Sequence, residues 1–316
     1  MKQWGEKRYY SLDYYLKQTF GKKLYKLSLD GGMNCPNRDG TLGTGGCIFC
    51  SEGGSGDFAG NRNLPIKEQL EQGKSLVQKK YTGSSYIAYF QAYTNTYAPV
   101  SYLERIFAEA MAEPDVKVLS IATRPDCLSE ETLALLERLN KNKPVWVELG
   151  LQTIHKNSAE FIRRGYSLDV FEKAVYDLKK RGITVIVHTI LYLPNETRDM
   201  MMQTISYLNE LPIDGIKLQL LHVLKGTDLA DYYKANPFHL PNPEEYMELL
   251  GYLLSHLRPD IVVHRLTGDG PKNLLIAPLW TANKRLVLNG IQKHLKDSDI
   301  WQGKEYLCQK HSHFIN

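Results

Sequence analysis

The segment DGGMNCPNRDGTLGTGGCIFC, from Asp30 to Cys50, decides how the rest of the chain is read. It holds Cys35, Cys47 and Cys50, three of the five cysteines, in the spacing C-x11-C-x2-C. Gly, Asn, Asp and Pro are too frequent in it for helix or strand. The run before it, Leu24 to Leu29, alternates like a strand. A strand thus ends in a loop that gathers three thiols. Structural zinc takes four ligands in a closed tetrahedron. A distant His, Cys127 or Cys308 could supply the fourth, and nothing nearby does. An iron–sulfur cubane usually takes four cysteines; one held by three leaves an iron open. A lone C-x2-C is also met as a zinc knuckle or as two unpaired thiols. From the cysteines alone these readings stay open.

Working outward, the 316 residues are 43% hydrophobic, enough for one large core. No stretch reaches the ~18 unbroken apolar residues of a membrane span. The N-terminus has no apolar core of a secretory signal. Five cysteines with three clustered argue against a disulfide framework. The expectation is a cytoplasmic protein with no membrane partner. Net charge is +4, unevenly spread. Residues 1–26 carry seven Lys or Arg against two Asp or Glu, and residues 284–316 six against three. Trp4, Tyr9, Tyr10, Tyr14, Tyr15 and Phe20 interleave with the N-terminal cations. Cations beside stacking rings suit a nucleic acid. The alternative is an amphipathic helix whose aromatics pack inward.

Along the chain, apolar runs at 85–91, 116–122, 145–149, 183–191, 213–220 and 261–264 read as strands. Between them lie helical stretches. Pro65 and Pro99 open two in the first-turn position. Ser129, Ser167, Thr197 and Asn242 cap others, Asn242 with Glu245 as its return partner. Near-continuously apolar strands alternating with helices give a parallel sheet covered by helices. Right-handed crossovers curl such a sheet, and its chemistry lies at the carboxyl ends of the strands. From about Pro271 onward the pattern is helical.

The phrase CPNRDGTLGTGGCIFC resembles the cluster loop of the radical S-adenosylmethionine (SAM) enzymes. In particular it is similar to the Elongator catalytic-subunit branch, where the first spacing is stretched, and within it to the bacterial YtqA/YhcC (MnmL) type. The resemblance covers nearly the whole chain. It implies an α/β fold, an open (β/α)6 partial TIM barrel over 24–270. A basic aromatic segment (1–23) would precede it and a helical C-terminal extension (271–316) would follow. It also implies a [4Fe–4S] cluster on Cys35, Cys47 and Cys50, with SAM on the open iron.

The same resemblance singles out residues at the strand ends. Gln91, in FQAYTNT, stands where the family usually has Gly-Gly-Glu beside the amino group of SAM. Arg124 and Asp126 lie in TRPD, which the family shares. Glu148 and Gln152 bracket a glycine; Glu148 could accept from ribose hydroxyls or an amino group, and Gln152 both donates and accepts. Arg164, in RRGY, looks like the family's Arg-Gly-His and is the candidate partner of the methionyl carboxylate. His188 holds the place of a polar SAM contact. Lys217, which alternates with Gln219, is a candidate for a ligand carboxylate. The plainer alternatives are a satisfied turn at Gln91, a solvated Arg164 and a buried, satisfied His188. Cys127 reads as an inert thiol rather than a hydrogen-atom relay. The loop HRLTGDGP, 264–271, resembles a stretch of the YtqA type and has no assigned role.

The implied activity is reductive cleavage of SAM to a 5′-deoxyadenosyl radical, fed by a reductase, flavodoxin or ferredoxin. The implied substrate is transfer RNA (tRNA), at a wobble uridine whose carboxymethylaminomethyl group becomes aminomethyl. No acetyltransferase-sized domain follows the barrel, so acetyl-CoA chemistry is not expected. Two rivals stand beside this reading. One is the same barrel acting on a small molecule; the other is a zinc-stabilised RNA-binding adaptor without catalysis.

Overall fold

The computed structural model describes residues 3–54, 56–79, 82–268 and 270–306. Seven strands form one all-parallel sheet: β1 (Tyr25–Leu29), β2 (Tyr86–Phe90), β3 (Val116–Thr123), β4 (Val145–Gln152), β5 (Thr184–Leu191), β6 (Gly215–Leu220) and β8 (Val262–Arg265). They lie side by side in chain order and curl into a half-barrel. Two short strands, β7 (Val223–Leu224) and β9 (Leu275–Ala277), pair antiparallel apart from it. Among the described residues, no helix is long and apolar enough to cross a membrane.

The strands are apolar on both faces for different reasons. On the outer face, residues such as Leu27, Ala88, Leu119, Val147, Val187 and Leu218 meet the helices in one continuous core. The helices present matching stripes. In α6 (Leu168–Lys180), Phe171, Ala174, Val175 and Leu178 fall three and four residues apart and are buried. On the inner face the side chains change character with height, because successive residues on that face sit two apart. At the amino ends, Leu24, Ile87, Val118, Trp146 and Ile186 make an apolar plug. Above it come Lys26, Tyr89, Ser120, Glu148, His188 and Lys217. The half-barrel is thus sealed at one end, and its polar interior opens at the other.

The seal is completed by α1 (Leu12–Phe20), capped by the Ser11 hydroxyl. Leu16 joins the plug, with Leu12, Tyr15 and Phe20 packed against it. The Tyr15 ring lies 6.0 Å from that of Trp146. Trp4 and Tyr9 are buried as well. The N-terminal aromatics are therefore buried or half-buried, none of them exposed, whereas Lys17, Lys22 and Lys23 face water. Buried Gln302 ties both termini to β8. Its amide donates to the carbonyls of Arg258 and Ile261, and its oxygen accepts from Tyr10 N, each at 2.8 Å. Val263 N donates to Tyr10 O at 2.7 Å.

Ser129 and Thr197 cap helices through their side chains, and Asn242 and Glu245 form a full capping box at the start of α9 (Pro243–His256). Ser167 sits at its cap position without a capping bond, and Pro65 and Pro99 are caps rather than first-turn residues. The C-terminal region is less purely helical than its pattern. β9 comes before a helix at Lys284–Asp297, whose Val287, Ile291 and Leu295 join the main core.

Candidate active site at the cysteine loop and barrel cavity

The loop after β1 folds around its own backbone. Asn34 Oδ1 accepts from Cys35 N at 2.9 Å, and Cys35 O accepts from Arg38 N and Asp39 N at 2.8 and 3.2 Å. Cys50 N donates to Cys47 O at 3.0 Å, which closes the C-x2-C turn. Asn37 and Arg38 fasten the first thiol turn to the second. Arg38 Nη2 donates to the carbonyls of Cys50 and Ser51 at 3.1 and 2.7 Å. Asn37 Nδ2 donates to Arg163 O at 2.7 Å and lies 3.5 Å from Cys47 Sγ.

The cysteine loop is thereby docked on the turn Arg163–Gly165. Gly165 has φ +83, and a Cβ there would stand 2.9 Å from Asn37 Oδ1 and 3.3 Å from Arg124 Nη2. Both conformation and space exclude a side chain. Gly165→Ala is expected to cost about 1–3 kcal/mol of stability and to lower iron bound per chain after reconstitution. Thermal melting and iron analysis check both.

The cavity between this loop and the inner face of the sheet has about 1020 Å³ of empty space, open mouth included. All ten candidate residues line it: Cys35, Cys47, Cys50, Gln91, Arg124, Glu148, Gln152, Arg164, His188 and Lys217. Their partners differ from simple expectation. Arg164 is buried, and its guanidinium donates to the carbonyls of Leu151, Thr153 and Tyr166 at 2.6–3.1 Å. Arg124 pairs with both Asp126 oxygens at 2.9 and 2.7 Å and with Arg164 O at 2.9 Å. Both guanidinium groups lie within 5 Å of the Tyr166 ring centre, at 4.9 and 4.8 Å. The Tyr166 hydroxyl donates to Gly150 O at 2.5 Å and lies 3.2 Å from Gln152 Oε1. This shelf of arginine and tyrosine braces the cysteine loop.

Glu148 is the hub of the floor. Its Oε1 takes Lys26 Nζ at 2.6 Å and Ser120 Oγ at 2.7 Å. Its Oε2 pairs with Lys217 Nζ and accepts from His188 Nε2 at 2.7 Å. Lys217 also donates to the Tyr89 hydroxyl at 3.1 Å. Burial opposes ionisation of Glu148, but Lys217, Lys26 and the His188 hydrogen bond hold its carboxyl well below the usual range. Burial lowers Lys217 well below an ordinary lysine, with the carboxylate acting against it. Burial and the Lys217 charge bring His188 down to about 4, so it is neutral and donates to Glu148.

Lys26, Tyr89, Ser120 and Tyr166 belong to this site and were not singled out in the sequence. For Lys26, Tyr89 and Ser120 the signal was faint: a polar side chain on the inward phase of an apolar strand; Tyr166 lies in the turn before α6 and carried no such signal. Cys127 does not line this cavity; it lines a separate crevice with Thr96–Pro99. Cys308 lies outside the described residues. Among the described residues, no three ligand-type side chains are grouped as the ligands of a single ion would be. Among the described residues, the donors on the cavity are three thiols with no fourth cysteine, a set that would fit a cubane and leave one iron for a ligand.

The sequence profile of the Radical SAM superfamily matches residues 38–208, and that of the Radical_SAM C-terminal domain matches 213–297. Uncharacterized protein YtqA of Bacillus subtilis (strain 168) is 46% identical over 299 residues, 95% of this chain and 93% of its own. The tRNA uridine(34) acetyltransferase of Methanocaldococcus jannaschii is 28% identical over 187 residues, 58% of this chain and 34% of its own. Among solved structures, the archaeal Methanocaldococcus infernus Elp3 with an N-terminal deletion superposes with a TM-score of 0.67 at 18% identity. That match covers 88% of this chain and 64% of the Elp3 chain. The curled parallel sheet, the thiols at the end of its first strand and these matches have one reading: the chain belongs to the radical SAM superfamily, in its Elp3-like branch, and is a radical SAM enzyme whose cofactors are a [4Fe–4S] cluster and SAM.

Proposed function

We propose that the enzyme modifies tRNA at the wobble uridine, converting a carboxymethylaminomethyl side chain to aminomethyl. Similarity over 58% of the chain to a protein acting on tRNA uridine(34) carries the reading. The charge of the cavity supports it. Arg38, Arg124, Arg164, Lys217 and Arg265 line it against the single carboxylate of Glu148. An excess of cations favours anionic ligands, and both an amino-acid carboxylate and an RNA are anionic.

The residues present fit the roles required. Cys35, Cys47 and Cys50 would hold the cluster. Gln91, Gln152 and His188 present polar groups to a ligand in the cavity, and the Arg124–Arg164–Tyr166 shelf keeps the cysteine loop in place. When bound, the cluster and SAM supply one-electron cleavage of the C5′–S bond and a carbon-centred acceptor of a hydrogen atom. Removal of a hydrogen atom from the glycine-derived carbon beside the secondary amine, with loss of one further electron to an acceptor such as the oxidised cluster, would give an imine, which one water entering from the open mouth would hydrolyse to the aminomethyl group and glyoxylate. The sealed amino end of the barrel keeps bulk water from the radical stage. The electron comes from a reductase, flavodoxin or ferredoxin.

Nucleoside mass spectrometry of tRNA tests this. In a deletion strain the carboxymethylaminomethyl nucleoside should accumulate and its aminomethyl product should vanish. Purified enzyme with SAM and a reductant should restore the product on that tRNA. An unchanged nucleoside profile sinks the reading and leaves the small-molecule substrate in its place.

A further inference from the structure

Arg38 and Arg62 meet on one ring beside the cofactor cavity. Tyr93, in the stretch after β2, is half-buried and lines that cavity. Its φ is +58, a conformation that bulky side chains rarely take. Two hydrogen bonds hold it there: Tyr93 N donates to Gly54 O at 2.9 Å, and the hydroxyl donates to Glu52 O at 2.7 Å. The guanidinium carbons of Arg38 and Arg62 each lie 5.7 Å from the ring centre. The two charges are therefore separated by twice that distance at most. Backbone oxygens tether both. Arg38 donates to Cys50 O and Ser51 O, and Arg62 Nη2 donates to Gly32 O and Met33 O at 2.8 and 3.4 Å. Among the described residues neither guanidinium has a carboxylate within ion-pairing range. Asp57 accepts instead from the Ser51 hydroxyl, at 3.0 and 2.9 Å. Arg62 is exposed and lies outside the lining of the cavity.

A surface arginine ordinarily pairs with an acid or moves freely in water, and fixing its long side chain costs rotamer entropy. Here the fold already holds the side chain, and the positive charge meets no counter-charge. Arg62 uses one nitrogen on the backbone, which leaves Nε and Nη1 as donors for a ligand. A fixed guanidinium of this kind is a fork for phosphate or carboxylate oxygens. Two of them on one ring, at a separation that neighbouring phosphates of one strand can span, suit a polyanion better than a single small acid. We propose that Arg62, together with Arg38 on the Tyr93 ring, is a phosphodiester-binding site for the RNA substrate. This rests on the tRNA reading above and names where the RNA backbone is held. The contact positions the strand and reads no base. Tyr93 lines the cavity while Arg62 stands outside it, so a strand gripped there lies beside the cavity rather than within it.

The test uses the reconstituted full chain and an anticodon stem-loop RNA, with affinity measured across a salt series. SAM affinity and iron per chain are measured on the same preparations. Losing one phosphate contact flattens the slope of log affinity against log salt by about 0.7–0.9. Arg62→Gln should show that change and should bind the RNA roughly tenfold more weakly at low salt, as expected for one charge-assisted hydrogen bond. Arg62→Lys should keep most of the slope, because it keeps the charge and loses only the fork. Stem-loops of different base sequence should be weakened alike. SAM affinity and iron should stay within about twofold in both variants, since a phosphate contact outside the cavity touches neither cofactor. A wild-type salt slope in Arg62→Gln overturns the proposal and leaves the tRNA reading standing. If iron or SAM affinity falls in that variant while the slope holds, Arg62 is only a brace of the turn before Cys35. Failure of the wild-type chain to bind the stem-loop better than a duplex control removes the tRNA reading and the phosphate site together.

Discussion

Cys35→Ala, Cys47→Ala and Cys50→Ala each lose the visible absorbance of the anaerobically reconstituted protein, and SAM cleavage falls with it below detection. Cys127→Ala keeps both. The three thiols line one cavity, and on the proposed ligand set each would supply a whole ligand to the cluster. Changes to the groups behind a ligand cost about 10–100-fold, and loss of the ligand itself costs more. Cys127 is different in kind. It lies in another crevice, with its sulfur 3.8 Å from Asp126 Oδ1. Burial, with Asp126 beside it, pushes that thiol up to about 12. Burial pushes Cys47 up as far, so place in the fold and not acidity sets Cys127 apart. Retained absorbance in all three loop variants, or its loss in Cys127→Ala, would show that the ligand set is misassigned. Iron and sulfide analysis of the same preparations separates a damaged cluster from a zinc site, which would hold zinc alone.

Much of the cavity was legible before the fold. The resemblance singled out Glu148, His188 and Lys217 at the strand ends, and each is also a polar residue that breaks an apolar run, on the phase that alternation marks as inward. What alternation does not give is who meets whom across the barrel. Lys26 reaches Glu148 from three strands away, and Tyr89 reaches Lys217 across the interior. Those contacts exist only because the sheet curls. The arginine shelf was hidden for another reason. Arg164 turns back on the carbonyls of Leu151 and Thr153, at the end of β4, in a stretch where Gln152, Arg163 and Gly165 all have positive φ, at +62, +56 and +83. Only the glycine of the three advertises that conformation. The direction of the N-terminal aromatics was undecided until the amino end of the barrel was seen to need a plug. The β7–β9 pair is two and three residues long, too short for any periodic signal.

Removing the charge of Glu148 should be the most damaging single change to the fold away from the cysteines. Glu148→Gln keeps the size and an acceptor, but leaves Lys26, Lys217 and His188 facing one another around a neutral group. Glu148 is 1% exposed and Lys217 is buried with it, so water does little to screen that pair. Breaking a buried pair in this way costs about 3–5 kcal/mol. Glu148→Gln combined with Lys217→Met should recover part of that loss, because the second change removes one of the stranded cations. If the two losses simply add, the two groups are not coupled and the hub is wrongly described. The wild-type network also fixes how stability responds to acid. His188 is held down to about 4 against an ordinary 6.5, so between these values the unfolded chain binds more protons than the folded one. Stability from this group is complete above about 6.5 and is lost as pH falls toward 4. The shift corresponds to about 3 kcal/mol at most. Glu148, held well below its ordinary value, adds a second loss at lower pH in the same direction. His188→Gln should flatten the pH dependence of chemical denaturation between pH 6.5 and 4, where Glu148 stays ionised and the remaining network is unchanged. An equal slope in wild type and variant would mean that some other group carries the titration, and that the histidine does not sit neutral against the carboxylate.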